Sequence, residues 1–372
     1  MAKYRIAWMP GDGIGVEVME AARIVLDKLG LDAEYIPADI GWHFWCTEGD
    51  PLPDRTINAL KTCTCGLFGA ITSKPKDEAA NELMPDLQDK GLSYRSPIVR
   101  LRQMFDLYVN LRPCKAFPGN PLNFRDDIDL VVFRENTEGL YSGVEFHPFP
   151  EEVRSVIAEY NPAINRFKNV SAEKMAVSLR VITVAGAQRI IGRAFEYAKK
   201  HGYPTVTLVE KPNVLRETSG MMSRVGREVA KSYADIELWE TNIDAQMMWL
   251  LKNPDDYGVM VTSNMFGDIL SDLAAQLVGG LGFAASGNIG DKFAVFEPTH
   301  GSAPKYAGKY KVNPHAMLMA TKLMLDWLGE SEMAENLEKA IAEVIAEGEV
   351  RTYDMGGDSS TLDVAEAVAT QL

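Results

Sequence analysis

Cysteine is scarce and badly spaced for metal or disulfide chemistry. The four cysteines are Cys46, Cys63, Cys65 and Cys114. None forms a Cys-x₂-Cys pair, and Cys63-Thr-Cys65 is too tight for one, so reduced structural thiols are expected. Long apolar runs are missing too: none approaches the roughly 20 residues that span a bilayer. The opening Met1-Ala-Lys-Tyr-Arg-Ile-Ala-Trp8 passes directly into a strand pattern without the features of a signal peptide. Positive charge is in deficit. Lys and Arg number 38 against 52 Asp and Glu, a formal charge of −14 with a pI near 5.0. That balance argues against nucleic acid or an anionic membrane as a partner. Internal repeats, low-complexity segments and clear linkers are also lacking. With 46% hydrophobic content over 372 residues, the chain can build two domains sharing a large core, and a cytoplasmic globular protein is expected.

The most informative stretch is Asn264-Met-Phe-Gly-Asp-Ile-Leu-Ser-Asp272. It follows a short β-branched run, Gly258 to Thr262, which reads as a buried strand. Helical character resumes at Ile269, which places Asp268 and Asp272 at i and i+4 on one face near a helix start. Two stacked carboxylates repel unless a positive group lies between them, and a hard divalent cation, Mg²⁺ or Mn²⁺, suits them. On spacing alone the alternative stands: Asp268 caps the helix and Asp272 faces water.

Along the chain, Tyr4 to Met9 reads as a strand and Val16 to Leu29 as a helix. The turn between them, Pro10-Gly-Asp-Gly-Ile-Gly15, brings its third glycine one position too early for the G-x-G-x-x-G dinucleotide fingerprint. Cys65 to Thr72 is a further strand. Ser96-Pro97 gives an N-cap followed by proline at N1, predicting a helix to about Phe105, with extended chain over Leu107 to Leu111. Arg102 falls near the helix end, Arg112 at the strand end and Arg134 after the strand Leu130–Phe133. Three arginines at element ends in an acidic chain would suit a bidentate grip on a polycarboxylate, although each alone reads rather as a surface or ion-pair residue. Residues 144 to 175 are rich in Pro, Asn and charge and are left without assigned structure. An amphipathic helix over Arg180 to Lys200 and a strand over Val206 to Glu210 lead to Lys211-Pro-Asn213.

These blocks resemble, in order and over nearly the whole chain, the β-decarboxylating dehydrogenases: the isocitrate, homoisocitrate and 3-isopropylmalate family. The matching blocks are Pro10–Gly15, Arg134-Glu-Asn-Thr-Glu-Gly-Leu-Tyr141, Asn264–Asp272, Glu297-Pro-Thr-His-Gly-Ser-Ala-Pro-Lys-Tyr-Ala-Gly308 and Thr352–Gly357. The resemblance implies a two-domain α/β fold. Residues 1–95 with 245–372 would form a large discontinuous cofactor and metal domain, and 96–244 a small substrate domain carrying a dimer clasp. It implies oxidative decarboxylation of a (2R,3S)-3-substituted malate. Tyr141 would be the proton donor to carbon and Lys211 the base at the substrate hydroxyl. Asp244, Asp268 and Asp272 would hold Mg²⁺ or Mn²⁺. Substrate contacts would come from Ser96, Arg102, Arg112, Arg134 and Asn213, and cofactor contacts from Thr72, Glu297, His300, Gly301, Ala303, Lys305, Tyr306 and Asn313. Lys211 and Asp244 would enter from a neighbouring subunit, making a homodimer with shared sites.

Isocitrate is the expected substrate, through Ser96 and an inward-turned Arg100. Homoisocitrate and 3-isopropylmalate are the alternatives, because Ile98 stands where isocitrate enzymes place an asparagine. Lys305-Tyr306 matches the NADP-linked pattern, with NAD as the alternative. A non-catalytic regulatory subunit is the competing class, and retention of Tyr141, Lys211 and all three aspartates argues against it.

Overall fold

Runs of buried apolar residues become strands, and runs with apolar residues every three to four positions become helices. A computed structural model describes residues 2–372. In chain order it contains β1 (Tyr4–Gly11), α1 (Gly15–Leu29), β2 (Ala33–Pro37), β3 (Cys65–Ala70), α2 (Pro97–Met104), β4 (Val109–Lys115) and β5 (Asp129–Glu135). There follow β6 (Glu145–Phe146), α3 (Glu151–Tyr160), β7 (Val177–Ser178), α4 (Val184–His201), β8 (Thr205–Glu210), α5 (Thr218–Ala230), β9 (Glu237–Asn242), α6 (Ile243–Lys252), β10 (Val259–Thr262) and α7 (Asn264–Leu277). The last elements are β11 (Ala285–Ile289), β12 (Ala294–Pro298), α8 (His315–Leu328), α9 (Ser331–Glu347) and α10 (Thr361–Gln371).

Ten strands form one sheet in the order β2-β1-β3-β12-β11-β4-β5-β10-β8-β9. The flank β2-β1-β3-β12 is parallel, and so is β5-β10-β8-β9. Between them β11 and β4 pair antiparallel with each other and with their outer neighbours. The two parallel flanks therefore run in opposite directions. Side chains alternate faces along a strand, and β4 uses both: Val109 and Leu111 face one core while Asn110 and Arg112 face the other side. That polar face of the sheet's centre becomes the floor of the site.

Each flank has its own core. Val18, Ala22 and Val25 of α1 pack with Leu318 and Met324 of α8, Leu337 and Ile341 of α9, and Val368 of α10. On the other flank, Ile190, Ala194 and Phe195 of α4 cover one face of β5, β8 and β10. Leu270, Ala274 and Leu277 of α7 cover the opposite face. Because β10 and α7 pack with β5 and β8, residues 245–278 lie with the segment 96–244, and the chain rejoins the N-terminal flank at β11, later than residue 245.

Several local readings shift. Arg112 lies in the middle of β4 and Arg134 inside β5, since both strands continue past the apolar runs that reveal them. Helix α7 begins at Asn264, so Asp268 sits in its second turn and cannot cap it. Ser96 occupies the N-cap position of α2, but its side chain accepts no cap hydrogen bond. The stretch left without structure contains α3 and the small β6–β7 pair. All four cysteines are free thiols. Among the described residues no helix is long and apolar enough to cross a membrane.

Candidate active site

Asp268 is the centre of the arrangement. Its carboxylate is paired with Arg134 Nη1 and lies 3.4 Å from Arg112 Nη2. Tyr141 donates its hydroxyl to the other carboxylate oxygen at 3.2 Å. One turn further along α7, Asp272 pairs with Arg112 Nη1 at 2.9 Å. Gly267 makes this possible: a Cβ there would stand 2.6 Å from Cγ of Arg134. Asn264, at the first turn of the same helix, accepts from Arg134 Nε at 3.0 Å and Nη2 at 2.8 Å and so fixes the plane of that guanidinium.

The three arginines lie near one another. Arg102 reaches in from α2, donating from Nε to Asn288 at 2.8 Å and from Nη2 to Glu297 at 3.2 Å. Burial, together with the neighbouring Arg102 and Arg112 charges, presses the pKa of Arg134 downward. Such crowding is relieved when a polyanion binds. Burial and the adjacent Asp268 carboxylate raise the Tyr141 phenol above its ordinary value, which keeps its proton in place for donation. A cavity of about 170 Å³ lies against this cluster. Arg102, Arg112, Glu297, His300 and Gly301 line one part of it, and Phe68, Ile71 and Ile98 an apolar part. Arg100, expected to turn inward, is instead paired with Asp50.

Lys211 and Asp244 are brought together with each other rather than with Asp268. They form an ion pair between the end of β8 and the first turn of α6, and that pairing is the main cause holding the Asp244 carboxyl below its usual range. Asn213, in the turn after Lys211, is exposed and makes no side-chain hydrogen bond among the described residues. No group of three His, Cys, Asp or Glu side chains suited to a metal gathers among the described residues of a single chain. The donor chemistry nevertheless fits a hard cation: Asp268 and Asp272 offer oxygens from one helix face, and Asp244 is a solvent-facing carboxylate.

The cofactor-side residues come together at the carboxyl ends of β1, β3 and β12. Asp12, in the glycine-rich turn, accepts from the backbone N–H of Trp42 at 2.7 Å and of Thr72 at 2.9 Å. Thr72 shares a 2.6 Å hydrogen bond with Ser302, and Ile14 N–H donates to the Ser302 carbonyl at 2.9 Å. A Cβ on Gly13 would stand 2.1 Å from that carbonyl, so glycine is required where the two loops touch. Gly301 has open space before it, the nearest atom to a Cβ being Ile71 O at 3.9 Å. Ala303 adopts φ 36° as the loop turns. His300 Nε2 is enclosed without a hydrogen-bond partner, a group that a ligand would satisfy. Asn313 is held by Asp354 at 3.1 Å and accepts from His315 N–H at 3.0 Å. Lys305 Nζ lies 5.1 Å from the Tyr306 ring, which stacks on Tyr353 with centroids 5.7 Å apart.

Comparison with known proteins settles the lineage. The family model described as isocitrate/isopropylmalate dehydrogenase matches residues 5–368. The chain belongs to that family. Among relatives, it is 43% identical to the 3-isopropylmalate dehydrogenase of Methanothermobacter thermautotrophicus over 372 residues, covering 100% of this chain and 99% of that one. It is 41% identical over 366 residues to protein DlpA of Legionella pneumophila, covering 98% of this chain but only 58% of that longer protein. The crystal structure of isocitrate dehydrogenase from Methylococcus capsulatus superposes with a TM-score of 0.85 at 39% identity and 99% coverage of both chains. The isocitrate/isopropylmalate dehydrogenase fold is thereby shown, and with it the class, a decarboxylating dehydrogenase.

Reading the sequence alone missed Asn264, Asp12, Ser302, Tyr353 and the pair Arg180–Glu210. Glu210, buried at the end of β8, accepts from Arg180 Nη2 at 2.9 Å and from Ser263 N–H at 2.9 Å. It ties the strand bearing Lys211 to the start of the helix bearing Asp268. Asp12 and Asn264 lie inside blocks already singled out and were legible as polar residues beside required glycines. Arg180 and Glu210 gave no such signal.

Proposed function

We propose that this chain catalyses the metal-dependent oxidative decarboxylation of a 3-substituted malate, with hydride transfer to a nicotinamide cofactor. The convergence of Arg112, Arg134 and Tyr141 on Asp268, with Arg102 beside Arg112 in the adjoining cavity, carries the reading. The arginines grip the substrate carboxylates and fix the C2–H bond towards the cofactor loops. Asp268 and Asp272, with Asp244 of the partner subunit, would hold Mg²⁺ or Mn²⁺. When bound, that cation would supply polarisation of the C2 oxygen and the nicotinamide would supply the hydride acceptor. Lys211 of the partner subunit accepts the hydroxyl proton. Tyr141 donates its proton to C3 once CO₂ has left.

That division of labour requires a homodimer, which is part of the proposal. Met248 and Leu251 of α6 are 73% and 50% exposed, and Ile269 of α7 is 52% exposed. An apolar patch on the two helices that carry Asp244 and Asp268 is suited to a second copy of the chain.

The wall favours an alkyl substituent at C3. Phe68, Ile71 and Ile98 offer no partner to a distal carboxylate, at a cost of roughly 1–3 kcal/mol where it does not reach Arg102, Arg112 or His300 in the same lining. Arg100 does not offset this, being paired with Asp50. A 3-alkylmalate such as 3-isopropylmalate is therefore the first reading. Isocitrate is the second, supported by the Ser96 hydroxyl, left free by α2, and by exposed Arg95, which has no ion pair among the described residues. We expect kcat/KM for 3-isopropylmalate to exceed that for isocitrate by about tenfold or more in a panel with homoisocitrate, malate and tartrate. The opposite ranking would transfer the assignment to a tricarboxylate.

NADP is the proposed cofactor. Lys305 and Lys309 flank the Tyr306 ring, and Tyr353 adds a second phenol. Two cations and two hydroxyl donors suit a 2′-phosphate, whereas NAD enzymes commonly present a carboxylate to the ribose. Lys305→Asp with Tyr306→Ile is expected to move the ratio of kcat/KM values towards NAD by about tenfold or more. Wild-type preference for NAD would show that these residues do not read a phosphate.

A further inference from the structure

Strand register sets Asn288 of β11 opposite Asn110 of β4, and Asn110 opposite Arg134 of β5. Asparagine is unusual in central strands, and both Asn110 and Asn288 are fully buried. The Oδ1 of Asn288 accepts from Arg102 Nε at 2.8 Å, Asn110 Nδ2 at 2.9 Å and Asn136 Nδ2 at 3.0 Å. Its Nδ2 donates to Glu297 Oε1 at 2.7 Å. The direction of these bonds is forced, because a guanidinium only donates and a carboxylate only accepts. The same rule orients Asn110, whose Oδ1 receives Arg112 Nε at 2.8 Å. The result is a head-to-tail chain from guanidinium through two amides to a carboxylate, away from water, where aligned hydrogen bonds reinforce one another.

We propose that Asn288 is a positioning residue that couples the substrate site to the cofactor site, by holding Arg102 and, through Asn110, Arg112 in register with Glu297. The proposal rests on the dehydrogenase reading above, which assigns the arginines to substrate and Glu297 to cofactor. When a substrate carboxylate draws Arg102, the shift reaches Glu297 through the shared Asn288 amide and through the direct Arg102 Nη2 contact at 3.2 Å. Substrate and NADPH then bind with a common free energy, and each changes the other's affinity by the same factor.

The test is direct binding of NADPH, by its fluorescence, to the Mg²⁺-supplied enzyme with and without saturating 3-isopropylmalate or isocitrate, alongside kcat and KM. In wild type the substrate is expected to change the NADPH Kd by about tenfold. Asn288→Asp keeps the acceptor for Arg102 but turns an oxygen towards Glu297. The Kd ratio should fall severalfold, with the direct Arg102–Glu297 contact still in place, and the substrate KM should rise more than kcat falls. Adding Glu297→Gln should not recover the coupling, because the oxygen that meets Asn288 also accepts from Arg102 Nη2 and an amide nitrogen there would face that donor. Asn136→Ala, a milder change that removes one donor to the same oxygen, should weaken it partly. A purely structural Asn288 would lower the melting temperature without changing the Kd ratio. An unchanged ratio in folded Asn288→Asp or Asn136→Ala, or a wild-type NADPH Kd that ignores substrate, overturns the proposal. Coupled binding without turnover of any malate would overturn the dehydrogenase reading alone.

Discussion

Asp268→Asn is expected to lower kcat by about three orders of magnitude, the several kcal/mol that a metal centre supplies at roughly 1.4 kcal/mol per factor of ten. The fold should survive. Arg134 keeps both hydrogen bonds to Asn264, and Arg112 keeps Asp272, Ser271 and Asn110. The substitution therefore removes one negative charge from a cluster that remains cross-linked around it. Wild-type activity should vanish in EDTA and return with Mg²⁺ or Mn²⁺, whereas the variant should stay inactive at any concentration of either. If Asp268 served only as an ion-pair partner of the arginines, the pattern would differ. The melting temperature would drop, EDTA would leave the wild type unaffected, and a substantial part of kcat would remain. Full wild-type activity in EDTA would remove the cation from the mechanism.

The parts of the site that were legible in the sequence are those whose chemistry is local. The i, i+4 relation of Asp268 and Asp272 follows from helical periodicity, and it holds although α7 begins at Asn264, five residues before the helical pattern becomes evident at Ile269. The early turn was obscured by Asn264 and Gly267, residues that read as loop formers. Both are there for Arg134, which Asn264 orients and Gly267 leaves room for. Asn110, Asn136 and Asn288 were not legible at all. Each looks like a turn residue by composition, and their meaning comes from lateral register among strands up to 178 residues apart. Arg100 failed for the same reason: it lies in α2, and its partner, Asp50, lies 50 residues away in a loop. The sheet's reversal of direction at β11 and β4 was equally hidden, since strand direction leaves no mark on a single strand's pattern.

The separation of Lys211 from Tyr141 leads to the second large effect. In one chain Lys211 pairs with Asp244, while Tyr141 contacts Asp268. Lys211→Ala and Tyr141→Phe should each reduce activity by about two orders of magnitude or more, the usual cost of losing a positioned acid or base. If the site is shared, the two inactive variants carry complementary lesions. A heterodimer then has one site with Lys211 and Tyr141 both intact and a second site with neither. Equal mixing and refolding gives heterodimers as half of the dimers, each with half its sites working, so about a quarter of wild-type kcat should return. The exposed apolar residues of α6 and α7 supply the control, because a charge at Met248 should prevent both dimerisation and recovery. Refolding the two variants separately and combining them without exchange should give nothing. Heterodimers demonstrated by mass spectrometry but lacking activity would mean that each chain builds its site from its own residues. Lys211 would then have to leave Asp244 and reach Asp268 through a movement of β8 against α7, against the buried Glu210 contacts that hold those elements together.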